Sequence, residues 1–145
     1  MEVKDVSLYK NALMHKSLYK ITETSNERLE FLGDSVLSAV IAHYLFDKTP
    51  GEDEGYLTKM RSKVVSREHL NEIGKELELS SLMYTKIPLS QFGENIHGNL
   101  FEALTGAVFL DKGYNTCERF IYKTVIQTHI NIESLEGKKV FNLMV

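Results

Sequence analysis

The sequence predicts an all-α fold, and three features carry that prediction. No segment alternates apolar and polar residues as a half-buried strand would. Apolar residues instead recur at helical spacing, as at Leu70, Ile73 and Leu77. Helix start and stop signals separate the apolar stretches, and only two prolines interrupt the 145 residues.

In chain order, a first helix is expected over about Val6 to Met14. A capping box, Thr24-x-x-Glu27, opens a long second helix that stops before Pro50 and Gly51. A third begins near Asp53 and reaches about Val65. Ser66 suits the N-cap of a fourth, because its hydroxyl can accept from a first-turn N–H. Residues from Ser80 to Glu94, with Pro88 and Gly93, read as turns and one short helix. A fifth long helix ends near Asp111 and Lys112, with Gly113 suited to a left-handed residue just past its end. Asn115-x-x-Glu118 resembles a second capping box, opening a last helix to about His129.

The length fits one domain spanning residues 1–145, with a real core. The apolar run Val36 to Phe46 is too short to span a bilayer and contains His43. The first residues, Met1 to Asp5, lack the basic-then-apolar pattern of a secretory signal. One cysteine, Cys117, excludes a disulfide framework within the chain. These features predict a cytoplasmic protein with no membrane partner. The net charge of −3 argues against a broad basic surface. A local stripe of Lys59, Arg61, Lys63 and Arg67 could still follow a phosphate backbone, although Glu68 and Glu72 also suit a plain solvated face.

The chemistry lies in two apolar helices that carry acids and are expected to be buried nearly all round. One runs from Asn26 through Asp34 to Phe46, the other from Asn99 through Glu102 to Leu110. A buried lone carboxylate costs several kcal/mol unless it is paired, protonated or bound to metal. Arg28 is the obvious cation nearby in sequence. At about 100° per residue, Glu27, Glu30 and Asp34 fall within an arc of about 60°. Asn99 and Glu102 share a face of their own helix. If the two helices cross, Gly33, Ala103 and Gly106 allow the backbones to approach, and the two faces meet. An all-oxygen site of this kind suits Mg²⁺ or Mn²⁺. Glu27 is equally explained as a capping-box residue, and Glu30 as a partner for some other cation. Asp34 and Glu102, set among apolar neighbours, are the sharper candidates. His15, His43, His69, His97 and His129 show no zinc-ligand spacing, Cys117 has no activating neighbour, and Phe31 reads as core.

The run Asn26-Glu27-Arg28-Leu29-Glu30-Phe31-Leu32-Gly33-Asp34-Ser35-Val36-Leu37 resembles, without a gap, the signature of the ribonuclease III family. Ala12 to Ser17, Glu54 to Arg61 and Phe101 to Gly113 resemble three further family segments, in order. The resemblance implies a homodimeric endonuclease domain hydrolysing double-stranded RNA with Mg²⁺, Mn²⁺ being able to substitute. The products would carry 5′-phosphate and 3′-hydroxyl ends with a short 3′ overhang, as in RNA processing, including that of ribosomal RNA. It gives metal places to Glu30, Asp34 and Glu102, with Asp34 and Glu102 catalytic. It makes Glu54 a secondary acidic residue and Phe31 a dimer-interface residue that enters the partner.

Two departures accompany the likeness. Asn99 stands where the commonest pattern has Asp, and its amide oxygen can ligate without bringing charge. The double-stranded-RNA-binding domain usual in the family is not expected within this chain, whose polar stretch Glu136 to Lys139 could open a linker. The expected ligand set is therefore Glu30, Asp34, Asn99 and Glu102, with Glu27 secondary. One alternative is a catalytically impaired, RNA-binding scaffold on the same fold. Another is an all-α nucleotide pyrophosphohydrolase, for which Glu27-x-x-Glu30 fits but the second Glu-x-x-Asp element is missing between Glu52 and Glu76.

Overall fold

A computed structural model of the chain describes residues 2–15, 17 and 26–130. Thr24, Lys16 and the stretch Glu136 to Lys139 lie outside the described residues. Helices α1 (Val6–Ala12), α2 (Asn26–Lys48), α3 (Glu54–Val64), α4 (Arg67–Glu76), α5 (Asn95–Lys112) and α6 (Tyr114–Ile121) follow in order. Short 3₁₀ turns, Leu79–Leu82 and Leu89–Gln91, bridge α4 to α5. After α6 the helix widens into a π-helical stretch, Tyr122–Ile126, and ends in the turn Gln127–His129. Among the described residues there is no strand, only an isolated bridge between Met14 and Tyr84.

Local chemistry accounts for the boundaries. Asp53 caps α3 by accepting from Tyr56 N–H at 2.9 Å, and Ser66 caps α4 by accepting from His69 N–H at 3.2 Å. The Asn115 capping box does not form: the helix starts one residue earlier, at Tyr114, which leaves Asn115 inside its first turn with no side-chain cap. Gly113 has the expected positive φ, +85°, but its ψ of 175° is extended rather than left-handed helical. That geometry redirects the chain at once from α5 into α6, and a Cβ would be strained there.

Helices α2 and α5 form the central pair, with α4 against the other flank of α5. Their core joins Leu37, Ile41 and Leu45 of α2 to Leu100, Phe101 and Val108 of α5, closed by Leu70 and Ile73 of α4 and by Ile121 and Val125. Phe101 is fully buried and stacks on Phe120 at 5.9 Å. At the far end of α5, Asp111 accepts from the Tyr9 hydroxyl at 2.7 Å and from the Asp5 N–H at 2.8 Å, which pins α1 in place.

One expectation about α2 is corrected. It is not buried all round: Glu27, Phe31, Asp34 and Phe46 face outward, Phe31 with 78% of its surface exposed, so Phe31 is not core. By length and composition alone its 23 residues could also cross a membrane. Small and apolar residues scattered around the helix give it that composition, while the helix itself lies against α5 as the core helix of the fold.

Candidate active site

The site exists because α2 and α5 touch backbone to backbone. A Cβ on Gly33 would sit 1.7 Å from the Glu102 carbonyl oxygen, and one on Gly106 would sit 2.3 Å from the Leu29 carbonyl oxygen. Ala103, fully buried beside Leu29, completes this small-residue seam. The close approach brings the acidic face of α2 onto Glu102, as the spacing of small residues predicts.

Glu102 is 4% exposed and is the buried acid of the site. Its carboxyl lies close to that of Asp34 across the seam. Burial pushes the Glu102 carboxyl up from 4.5 to about 7, and the nearby Asp34 adds to the rise. The opposing influence is Arg67, whose Nη1 donates to Glu102 Oε1 at 2.8 Å and to Asn99 Oδ1 at 2.7 Å. Asp34 itself is solvent-exposed. The burial argument for it therefore fails and holds for Glu102 alone, because Asp34 lies on the rim of the seam rather than inside it.

The remaining candidates divide. Glu27, Glu30 and Asn99 line one cleft of about 240 Å³, together with His15, Asn26 and Phe92. Asn99 thus joins the cleft to the Glu102–Arg67 pair. Glu54 opens α3 in an exposed position, and among the described residues no hydrogen bond or ion pair ties it to this cluster. Lys59 is exposed on α3, with Arg61 and Lys63 half-buried on the same helix. Arg67 leaves that stripe, since it begins α4 and its guanidinium reaches Glu102.

Arg67 is the cation that the acidic helices lacked in sequence. It is 35 residues from Glu102, so no local spacing could reveal the pair. A weaker signal lies in α4 itself, where Arg67, Asn71 and Gly74 share one face at intervals of four and three. That face meets α5: Asn71 accepts from Gly98 N–H at 2.9 Å and donates to Asn95 Oδ1 at 3.2 Å, fixing the first turn of α5. Cys117 matches its reading as inert: it is fully buried, and burial raises its thiol to about 12.

The donor set is oxygen-only, from carboxylates and one amide, and it concentrates negative charge beside a buried acid. A small hard divalent cation suits both properties. Arg67 already supplies positive charge at the same oxygens, and its place is one such a cation would compete for.

Residues 5–129 match the family described as Ribonuclease-III-like. The chain is 55% identical over 139 residues to "Ribonuclease 3" of Zunongwangia profunda, covering 93% of this chain and 57% of that protein. It is 55% identical over 134 residues to "Ribonuclease 3" of Flavobacterium psychrophilum, covering 90% and 54%. The chain thus spans about half the length of the curated relatives it matches. Among solved structures it is similar to the nuclease domain of ribonuclease III from Campylobacter jejuni, with a TM-score of 0.79 and 31% identity over 88% of this chain and 91% of that one. That domain is described as having structural flexibility in a region involved in dimer formation.

Proposed function

The chain belongs to the ribonuclease III family, and from that premise we propose that it is a homodimeric, Mg²⁺-dependent endonuclease domain cutting double-stranded RNA. The observation that carries this reading is Glu102, a buried carboxyl at the α2–α5 seam with Asp34, Asn99 and Arg67 against it. The products are 5′-phosphate and 3′-hydroxyl ends with a short 3′ overhang. The setting is cytoplasmic RNA processing, including that of ribosomal RNA. Family membership leaves the pyrophosphohydrolase reading without support.

Glu30, Asp34, Asn99 and Glu102 would hold the ion, and Mn²⁺ should substitute for Mg²⁺. When bound, the ion supplies charge to neutralise the phosphate and acidifies water for attack. The residues do the rest. Glu102, once ionised, would turn from Arg67 to hold the ion through its carboxylate. Asn99 presents an amide oxygen without adding charge. Asp34, exposed and in contact with Glu102, orients the attacking water. Lys59, Arg61 and Lys63 meet the phosphates of the duplex, and Phe31, bare on α2, packs into a second copy of the chain.

The test is cleavage of a perfectly paired RNA duplex at low salt, with Mg²⁺ and with EDTA. Metal-dependent cleavage to duplexes with 3′ overhangs is expected. A folded dimer that binds the duplex and leaves it intact would overturn the nuclease reading in favour of a scaffold. Asn99 is the observation favouring that second reading. An Asn99→Asp variant separates the two: a small change in rate marks a working amide ligand, whereas activity appearing from none marks a decayed site.

A further inference from the structure

A second cluster of metal-ligating side chains sits on the opposite side of α4 from the acidic site. At about 100° per residue, Arg67, Asn71 and Gly74 face α5, while His69, Glu72 and Glu76 fall within an arc of about 60° pointing away from it. The chain's last helical turn crosses this second face and brings His129 onto it. One ligand atom from each of His69, Glu72 and His129 lies within 4.8 Å of the others. The two histidines are 60 residues apart, which is why their spacing carries no signal in the sequence. Their rings meet edge to face at 5.0 Å.

The hydrogen bonds around the cluster set up its donors. His69 Nδ1 lies 2.6 Å from the Val64 carbonyl oxygen. A carbonyl only accepts, so Nδ1 carries the proton, and Nε2 of the neutral ring is left with its lone pair. A histidine fixed through one nitrogen by a backbone carbonyl is the usual arrangement of a metal ligand. His129 Nε2 lies 2.6 Å from Glu76 Oε2, and its side chain is 10% exposed, so this ring too is held by a carboxylate in a half-closed position. Glu72 is exposed and free to change rotamer. Ligand atoms around a tetrahedral ion with bonds of about 2.0 Å are about 3.3 Å apart. Small side-chain rotations therefore convert the cluster into a coordination shell.

We propose that His69, Glu72 and His129, with Glu76 behind them, form a second metal site that takes a borderline divalent ion of the zinc class. Two imidazoles and a carboxylate favour zinc over magnesium, unlike the oxygen-only set at Glu102. The ion would clip the end of the last helix onto α4, the helix whose first residue holds Glu102.

The test is a Zn²⁺ titration of the protein in excess Mg²⁺, followed by thermal unfolding and by visible absorption of the Co²⁺ form. A Zn²⁺-dependent rise in Tm and a Co²⁺ spectrum with nitrogen ligation are expected. Both should be lost in His69→Ala and in Glu72→Gln and kept in Glu102→Gln. Glu72→Gln alters only an exposed side chain and guards against a folding defect in the histidine variant. The site is overturned if wild-type protein shows no Zn²⁺-dependent shift. It is equally overturned if the shift survives Glu72→Gln and His69→Ala, or disappears in Glu102→Gln.

Discussion

Glu102 lies 4% exposed with its carboxyl raised to about 7, mainly by burial and then by the nearby Asp34. Its ordinary value is 4.5, so between those limits the folded metal-free chain binds more protons than the unfolded one. Stability should therefore be full at about pH 4.5 and fall as pH rises towards 7. At about 1.4 kcal/mol per pKa unit the loss is on the order of 3 kcal/mol. Urea unfolding in EDTA across that range should show the decline, and Glu102→Gln should flatten it. Arg67 acts in the other direction. Arg67→Ala should lower metal-free stability at pH 8, because the ionised carboxylate loses its cation. The same change should tighten Mn²⁺ binding several-fold, because the ion no longer competes with a guanidinium. An unchanged Mn²⁺ affinity by calorimetry would mean that Arg67 does not share the ion's place.

The helices place these residues, and their seam is the sensitive element. A methyl added at Gly33 would lie 1.7 Å from the Glu102 carbonyl oxygen, so Gly33→Ala must push α2 away from α5. A cost of about 3 kcal/mol or more is expected from such overpacking, read by urea unfolding, together with loss of the raised Glu102 titration. Removing the α4 cap with Ser66→Ala should cost only about 1 kcal/mol. Much of this element scale is legible in the sequence. Asp53 and Ser66 act as caps through local hydrogen bonds, and Gly33, Ala103 and Gly106 mark the seam because only small residues allow that contact. Two features are not legible. The reach of Arg67 to Glu102 and the meeting of His69 with His129 depend on contacts dozens of residues apart, which no window of periodicity contains. Asp34 is a different failure: its apolar neighbours in sequence suggest burial, whereas successive residues of a helix point to different sides.

At the scale of the whole molecule, α2 and α5 meet at the seam that buries Glu102, and α2 leaves Phe31 78% exposed and Phe46 69% exposed. Apolar side chains this bare gain from a partner surface. Phe31→Ala should shift the proposed dimer towards monomer in sedimentation at micromolar protein while leaving the monomer's unfolding unchanged. An undiminished dimer would move the interface elsewhere. With a net charge of −3 and only a short basic stripe, binding to a duplex should be salt-sensitive. The measurement that bears most directly on the role of Glu102 is duplex-RNA cleavage by Glu102→Gln beside the wild type, in Mg²⁺ at low salt. Metal-dependent cleavage is expected from the wild type and none from the variant, with helicity and oligomeric state equal. Cleavage by the folded variant at a rate near the wild type's would contradict that role.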